Sequence, residues 1–241
     1  MTLNYNTHNN EPYLRLPAPY RNIIITPIRL DNREDESIIV ASMNDPRVAS
    51  WLIGPPFPYK PEDGKSWIKS SYETCGKQLE EIRSGRVPDG CPFRCIREIM
   101  AEDDHGIIKD TMIGCIDVDR YGYSEFPEGS ETRREAEEKN LALPAGSPDI
   151  VWSIGDWLAP SYHGCGIMTA VMKTVLYDWT VPRMNTCHFK VSVFVGNHGS
   201  MRVFEKLGFQ SCKVVDSVPL PENRGGGICS LHILSLDLEH E

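Results

Sequence analysis

The chain has 241 residues, of which 40% are hydrophobic and 24% charged, and its formal net charge is -9. That composition suits a folded globular protein with room for one substantial core and excludes a disordered chain. The acidic balance, without a dense Lys/Arg cluster, argues against nucleic acid as a partner, and no apolar run reaches membrane-spanning length. The polar first residues lack the apolar core of a secretory leader. The eight scattered cysteines (75, 91, 95, 115, 165, 187, 212 and 229) read as reduced thiols, so a cytoplasmic location is expected. Cys91 and Cys95 lack a second Cys/His pair at zinc-like spacing, so no metal site is expected.

In chain order, residues 1–21 form an N-terminal arm rich in Pro, Asn and Tyr, read as extended. Asn22–Arg29 reads as a first strand, and a helical stretch opens at Leu30-Asp31 and runs past Met43. Asn44-Asp45-Pro46 breaks it, and Pro46 suits the first turn of a short helix reaching Leu52. A rigid loop, Gly54–Pro58, precedes a longer helix from Pro61 to Arg83. Strands are expected over Phe93–Ala101 and Thr111–Arg120, joined through the polar Glu102–Gly106. The charged insertion 122–148 reads as a solvated helix or loop, or else as a lid or an oligomer contact. Then come a strand (Asp149–Leu158), a glycine-containing turn, a helix (Met168–Trp179), a strand (Thr186–Phe194) and a helix (Ser200–Lys206). Strands at Phe209–Val215 and Ile228–Leu236 flank the loop Pro219–Gly227, and residues 237–241 form a C-terminal tail. Mixed strands and helices without a linker predict a single α/β domain over 22–236 with a mixed sheet.

The chemistry concentrates at Pro160–Ala170. Strand, glycine turn and helix together make an anion site, because glycine lets the backbone approach and the helix start presents free N–H groups. A nucleoside triphosphate loop would need a Lys that the turn lacks, and a dinucleotide loop would need a third glycine where Thr169 stands. Gly164-Cys165-Gly166 alone is compatible with a plain tight turn. A second element, Asn197–Phe209, has Asn and Ser suited to a helix start and Gly208 suited to its stop.

The turn Trp157–Gly166 and the helix Asn197–Phe209 together resemble the GNAT superfamily of acyl-CoA N-acyltransferases, in the branch of the ribosomal-protein N-terminal acetyltransferases. Asn44–Trp51, Pro56-Phe57-Pro58 and Trp67-Ile68 resemble the same branch. The resemblance implies a mostly antiparallel α+β sheet, flanked by helices, whose central strands splay to hold acetyl-CoA. Backbone groups of Trp157, Leu158 and Ala159 would then pair with the pantetheine arm. The turn and helix start, from His163, Gly164, Cys165 and Gly166 through Ile167, Met168 and Thr169, would hold the pyrophosphate. Asn197 would bond the pantetheine amides, and Ser200 and Phe204 would lie beside the cofactor arm. The implied reaction is direct acetyl transfer to an amine of a small molecule or a protein N-terminus, with Ser200 and Asp156 as candidate catalytic residues.

The chain departs from the family pattern at four places: His163, Met168, Ser153, where a Glu is common, and Phe204, where a proton-donating Tyr is common. Glu98, Asp117 and Asp119 rival Asp156 as a base, and Asp156 also reads as a structural strand-end residue. Cys165 reads as a turn residue, Trp157 and Tyr162 as packing and turn anchors. Phe204 cannot donate a proton, which keeps a non-catalytic CoA-binding scaffold as the alternative function. A homodimer is compatible with all of this.

Overall fold

A computed structural model describes residues 3–238, so residues 239–241 of the expected tail and Met1-Thr2 of the arm lie outside the described residues. One nine-stranded sheet runs through the chain in the order β1-β2-β3-β4-β5-β6-β7-β9-β8. Its strands are β1 (Asn4–Asn6), β2 (Glu11–Arg15), β3 (Ile23–Thr26), β4 (Cys95–Asp103), β5 (Gly106–Arg120), β6 (Val151–Leu158), β7 (His188–Phe194), β8 (Gln210–Pro219) and β9 (Ile228–Asp237). Every neighbouring pair is antiparallel except β6 and β7. That one parallel pair is joined only at Val151↔His188 and Trp152↔Phe189, so the two strands part after their first residues and leave a wedge between them. The arm is extended, as expected, but β1 and β2 add to the sheet edge beside β3.

The helices α1 (Arg33–Asn44), α2 (Pro46–Ala49) and α3 (Pro61–Arg83) precede β4. Asn32 caps α1 by accepting from the N–H groups of Glu34 and Asp35, and Asp45 caps α2 with Pro46 in its first turn. The α2 helix stops at Ala49 rather than reaching Leu52. After β5 comes α4 (Glu131–Leu141), after β6 comes α5 (Ile167–Thr174), and α6 (Val181–Met184) and α7 (His198–Lys206) follow. A π-helical stretch, Val175–Thr180, links α5 to α6, with the Val181 N–H donating to Leu176 O. It lies just before Pro182, where a continuous α-helix would lose a donor and crowd the carbonyl four residues back.

Alternating side chains send two cores to opposite faces. On β4 and β5, Ile96, Ile116 and Val118 join the core over α5, whereas Cys95 and Cys115 join the core under α1 and α3. The second face is pinned by an ionic network in which Arg97 on β4 meets Asp35 on α1, Asp110 on β5 and the Thr26 hydroxyl. Arg97 and Asp35 are each 1% exposed, so both charges depend on this mutual satisfaction. Arg29 extends the network to Asp110 and to Glu11 of the arm.

The charged insertion is anchored from its own helix. Asn140 is buried on α4 and brackets Val151 at the start of β6, accepting from its N–H and donating to its C=O. Arg120 reaches the carbonyls of Asn140 and Leu143. The rest of α4 is largely exposed.

Candidate functional site

The wedge between β6 and β7 opens into a cleft of about 730 Å³. Hydrogen bonds at the two ends of β6 reveal which of its backbone groups face it. Ala159 N–H donates to Ile113 O and Tyr121 N–H to Val151 O, so odd-numbered residues of β6 pair with β5. The backbone groups of Ile154, Asp156 and Leu158 therefore point toward β7, where no strand meets them. Of the three residues expected to offer backbone to a ligand arm, only Leu158 faces the wedge. Trp157 and Ala159 are turned to β5, and Ala159 does not line the cleft.

The turn after β6 has the geometry of an anion cradle. Gly164 and Gly166 hold φ of +75° and +79°, a region that favours glycine, and Gly166 caps α5. The first helical bond runs from Ala170 N–H to Gly166 O. The amides of Ile167, Met168 and Thr169 accordingly have no partner within the helix, and all three residues line the cleft. A side chain at Gly164 would enter open space, while at Gly166 a Cβ would stand 2.6 Å from Tyr20 Oη. Tyr20 donates to Cys165 O at 2.7 Å, and Tyr162 donates to Glu98 at 2.7 Å, so two tyrosines fasten the turn. Cys165 is exposed, stands outside the cleft and has its Sγ 3.5 Å from His163 O. His163 lines the cleft, and its Nε2 donates to Leu158 O at 2.8 Å.

The opposite wall comes from β7 and α7. The Asn197 side-chain oxygen accepts from Ser200 N–H at 3.2 Å and so caps α7, while its Nδ2 has no partner among the described residues. Ser200 lines the cleft and its hydroxyl is likewise without a partner among them. Phe204 is buried and meets Phe209 edge-on at 5.0 Å, which makes it a wall of the cleft and part of the core at once. Arg202 and Lys206 bring positive charge to the rim. In front, Trp51 meets Phe194 edge-on at 6.3 Å, carrying the α2 segment across the wedge.

A second cavity, of about 540 Å³, lies on the α1–α3 side and shares Leu52, Gly155, Asp156 and Trp157 with the cleft. Asp156 thus stands where the two cavities meet. Along β6 it occupies the row of Trp152, Ile154 and Leu158, which packs into the α5 core. Burial in that apolar row, and then the nearby charge of Asp117, push its carboxyl up to about 7. Burial also raises Asp117, to about 6, against the opposing pull of Arg94, which donates to it at 2.7 Å. Asp119 is bound by Arg94 as well, at 2.9 Å, and Glu98 accepts from Tyr162 and Asn22. Among these rivals Asp156 alone carries no hydrogen bond or ion pair to a described residue. Ser153 lies opposite Asp119 and lines neither cavity.

Reading the sequence did not find Tyr20, whose partner is 145 positions away, nor the chamber residues Asp63, Ser66 and Ser70. No disulfide joins the described cysteines, and no group of three or more His, Cys, Asp or Glu among the described residues is placed to hold a metal ion. No described helix is long and apolar enough to cross a membrane.

The family model described as "Acetyltransferase (GNAT) domain" matches residues 22–210. Among solved structures, the chain is similar to a ribosomal-protein-S5-alanine acetyltransferase from Vibrio fischeri. The two share 15% identity at a TM-score of 0.55, over 94% of this chain and 97% of the other. It is similar to the microcin C7 self-immunity acetyltransferase MccE, solved with acetyl-CoA and AMP (14%, TM-score 0.57, 90% and 93%). It is also similar to RimL, a ribosomal L7/L12 α-N-protein acetyltransferase solved with coenzyme A (11%, TM-score 0.57, 95% and 99%). At these identities the likeness is one of fold. No curated protein matches the chain significantly.

Proposed function

The chain belongs to the GNAT acetyltransferase family, and on that premise we propose that it transfers an acetyl group from acetyl-CoA directly to an amine, with Asp156 as the general base. The observation that carries this reading is the unpaired Asp156 carboxyl at the junction of the two cavities, raised to about 7. A base with that pKa is half ionised near neutrality, where proton removal from an ammonium is both available and useful.

The residues of the cleft fit acetyl-CoA as cosubstrate. Two left-handed glycines and the free amides of Ile167, Met168 and Thr169 suit its pyrophosphate, and Arg202 and Lys206 add positive charge to the same cleft. Leu158 and Asp156 backbone groups and the Asn197 Nδ2 suit the amides of its arm. Asp156 takes a proton from the bound ammonium, the nitrogen forms the C–N bond as the C–S bond breaks, and the Ser200 hydroxyl, on the cleft wall, is the candidate to pass a proton to the departing sulfur. Phe204 holds the wall and moves no proton. The cytoplasm is the proposed setting, where cysteines outside disulfides stay reduced.

The test is release of free CoA from acetyl-CoA in the presence of an amine panel, with CoA binding measured separately by calorimetry. Binding of CoA with no release for any amine would leave the scaffold reading in its place. Absence of CoA binding would remove both.

A further inference from the structure

The chamber on the α1–α3 side has a lining that discriminates by charge. It contains three carboxylates, from Asp63, Asp117 and Asp156, and no Lys, Arg or His. Ser66 and Ser70 add hydroxyls, and the remaining surface is predominantly apolar, with Ile39, Met43, Leu52 and Trp67 among its walls. Burial is the main reason that both carboxyls hold their protons more tightly than a free aspartate, with the charge of Asp117 adding to it at Asp156, and a cation beside them would favour the ionised forms. The guanidinium nearest to them, Arg94, is already committed to Asp117 and Asp119 and does not line the chamber.

One wall is the segment Gly54-Pro55-Pro56, whose two prolines have no N–H to offer a peptide backbone. That wall is tied from outside. Phe57 N–H donates to Asn223 O at 3.1 Å, and Arg224 lies 5.6 Å from the centre of the Phe57 ring while bonding Ala49 O. The β8–β9 loop thus holds the wall in position. A volume of about 540 Å³ suits a whole small ligand.

We propose that the acceptor is a small amine with an apolar body and no anionic group, taken whole into this chamber with its ammonium at Asp156, where the chamber meets the cleft, and with Asp117 on the chamber wall. This rests on the acetyl-transfer reading and names its substrate class. The ammonium gives one proton to Asp156. Its nitrogen bonds the acetyl carbon as the carbon–sulfur bond breaks, and a second nitrogen-derived proton ends on sulfur. An α-amino acid or nucleotide would bring a carboxylate or phosphate against three carboxylates with no cation to receive it.

The experiment compares three acceptors with one common body: 2-phenylethylamine, L-phenylalanine and a hexapeptide beginning with Phe. With acetyl-CoA and CoA release as readout, kcat/KM for 2-phenylethylamine should exceed that for the other two by about 100-fold or more. L-phenylalanine or the peptide within tenfold of it would overturn the proposal. Asp117→Asn should shrink the preference over phenylalanine at least fivefold. Ser70→Arg, at an exposed position on α3, should raise phenylalanine relative to the amine, and an unchanged ratio in both variants would overturn the charge argument. Titration of the CoA-loaded protein with the same three compounds reads the preference without turnover. Tight CoA binding with no CoA release would overturn the transfer reading. Equal binding of amine and amino acid, or binding of neither, would overturn this one.

Discussion

The two cavities that meet on β6 are built by opposite means. One wall of the cleft is mostly backbone: a strand edge left unpaired, two left-handed glycines and the first amides of α5, all within residues 154–169. The chamber is mostly side chain, gathered from α1, α3, β5 and β6 over residues 39–157. A backbone site accepts any ligand that carries the right phosphates and amides, which suits a shared cosubstrate. A side-chain site can change with each substitution on its walls, which suits an acceptor that differs from one relative to another.

The comparison breaks most sharply at Asp156, the residue common to both. Asp156→Asn should lower kcat by about 10²–10³ while CoA affinity stays within about twofold, measured by steady-state kinetics and calorimetry. In the unsubstituted protein kcat/KM should climb with pH and level off above about 7, because the base must be ionised. The variant should lose that limb. Stability should move the other way. The carboxyl is raised above its ordinary 3.8, so the folded state binds the proton more tightly, and its contribution to stability falls as pH rises from about 4 to about 7. The thermal midpoint of Asp156→Asn should therefore exceed that of the parent by a margin that grows across that window and is flat above it.

The backbone half is tested at Gly166. Valine there faces a left-handed φ of +79° and a Cβ position 2.6 Å from Tyr20 Oη, so CoA affinity should drop about 30-fold or more. Amine binding in the chamber, followed by titration, should change little. A chamber that weakens in step with the cleft would mean that the two are one site. Asn140→Ala marks the region outside both. It strips the Val151 N–H of its partner, leaves the Val151 C=O only the Tyr121 N–H, and should cost about 2 kcal/mol, a fall of roughly 4–8 °C in the thermal midpoint, with CoA and amine affinities unaltered. The smallest effect is expected at Tyr20→Phe. It removes the single bond to Cys165 O and should weaken CoA binding about threefold in calorimetry, with less effect on the amine.

The legible parts of this molecule share one property, that their causes are local. Pro46 and Asp45 start α2, Asn197 caps α7, and Gly164 and Gly166 mark a turn feeding a helix, all within a few residues of the structure they produce. Boundaries were less legible where the signal came from a neighbour. β5 begins at Gly106 rather than Thr111 because β4 pairs with it as far as Asp103. β8 runs to Pro219 because β9 continues beside it. The arm joins the sheet because β3 offers an open edge. The choice among Asp156, Asp117, Asp119 and Glu98 was closed to any local reading. Only folding shows that Arg94, Tyr162 and Asn22 satisfy the other three and that Asp156 sits in an apolar row.

By itself, then, the sequence determined the family, the strand–turn–helix that suits a phosphate and the cap of the facing helix, since backbone conformation answers to adjacent residues. The tertiary structure decided which carboxylate is left without a partner, which tyrosine clasps the turn and what surrounds the second cavity. Those depend on residues brought together from distant positions, and the pKa of a buried acid is set by its neighbours in space, not in the chain.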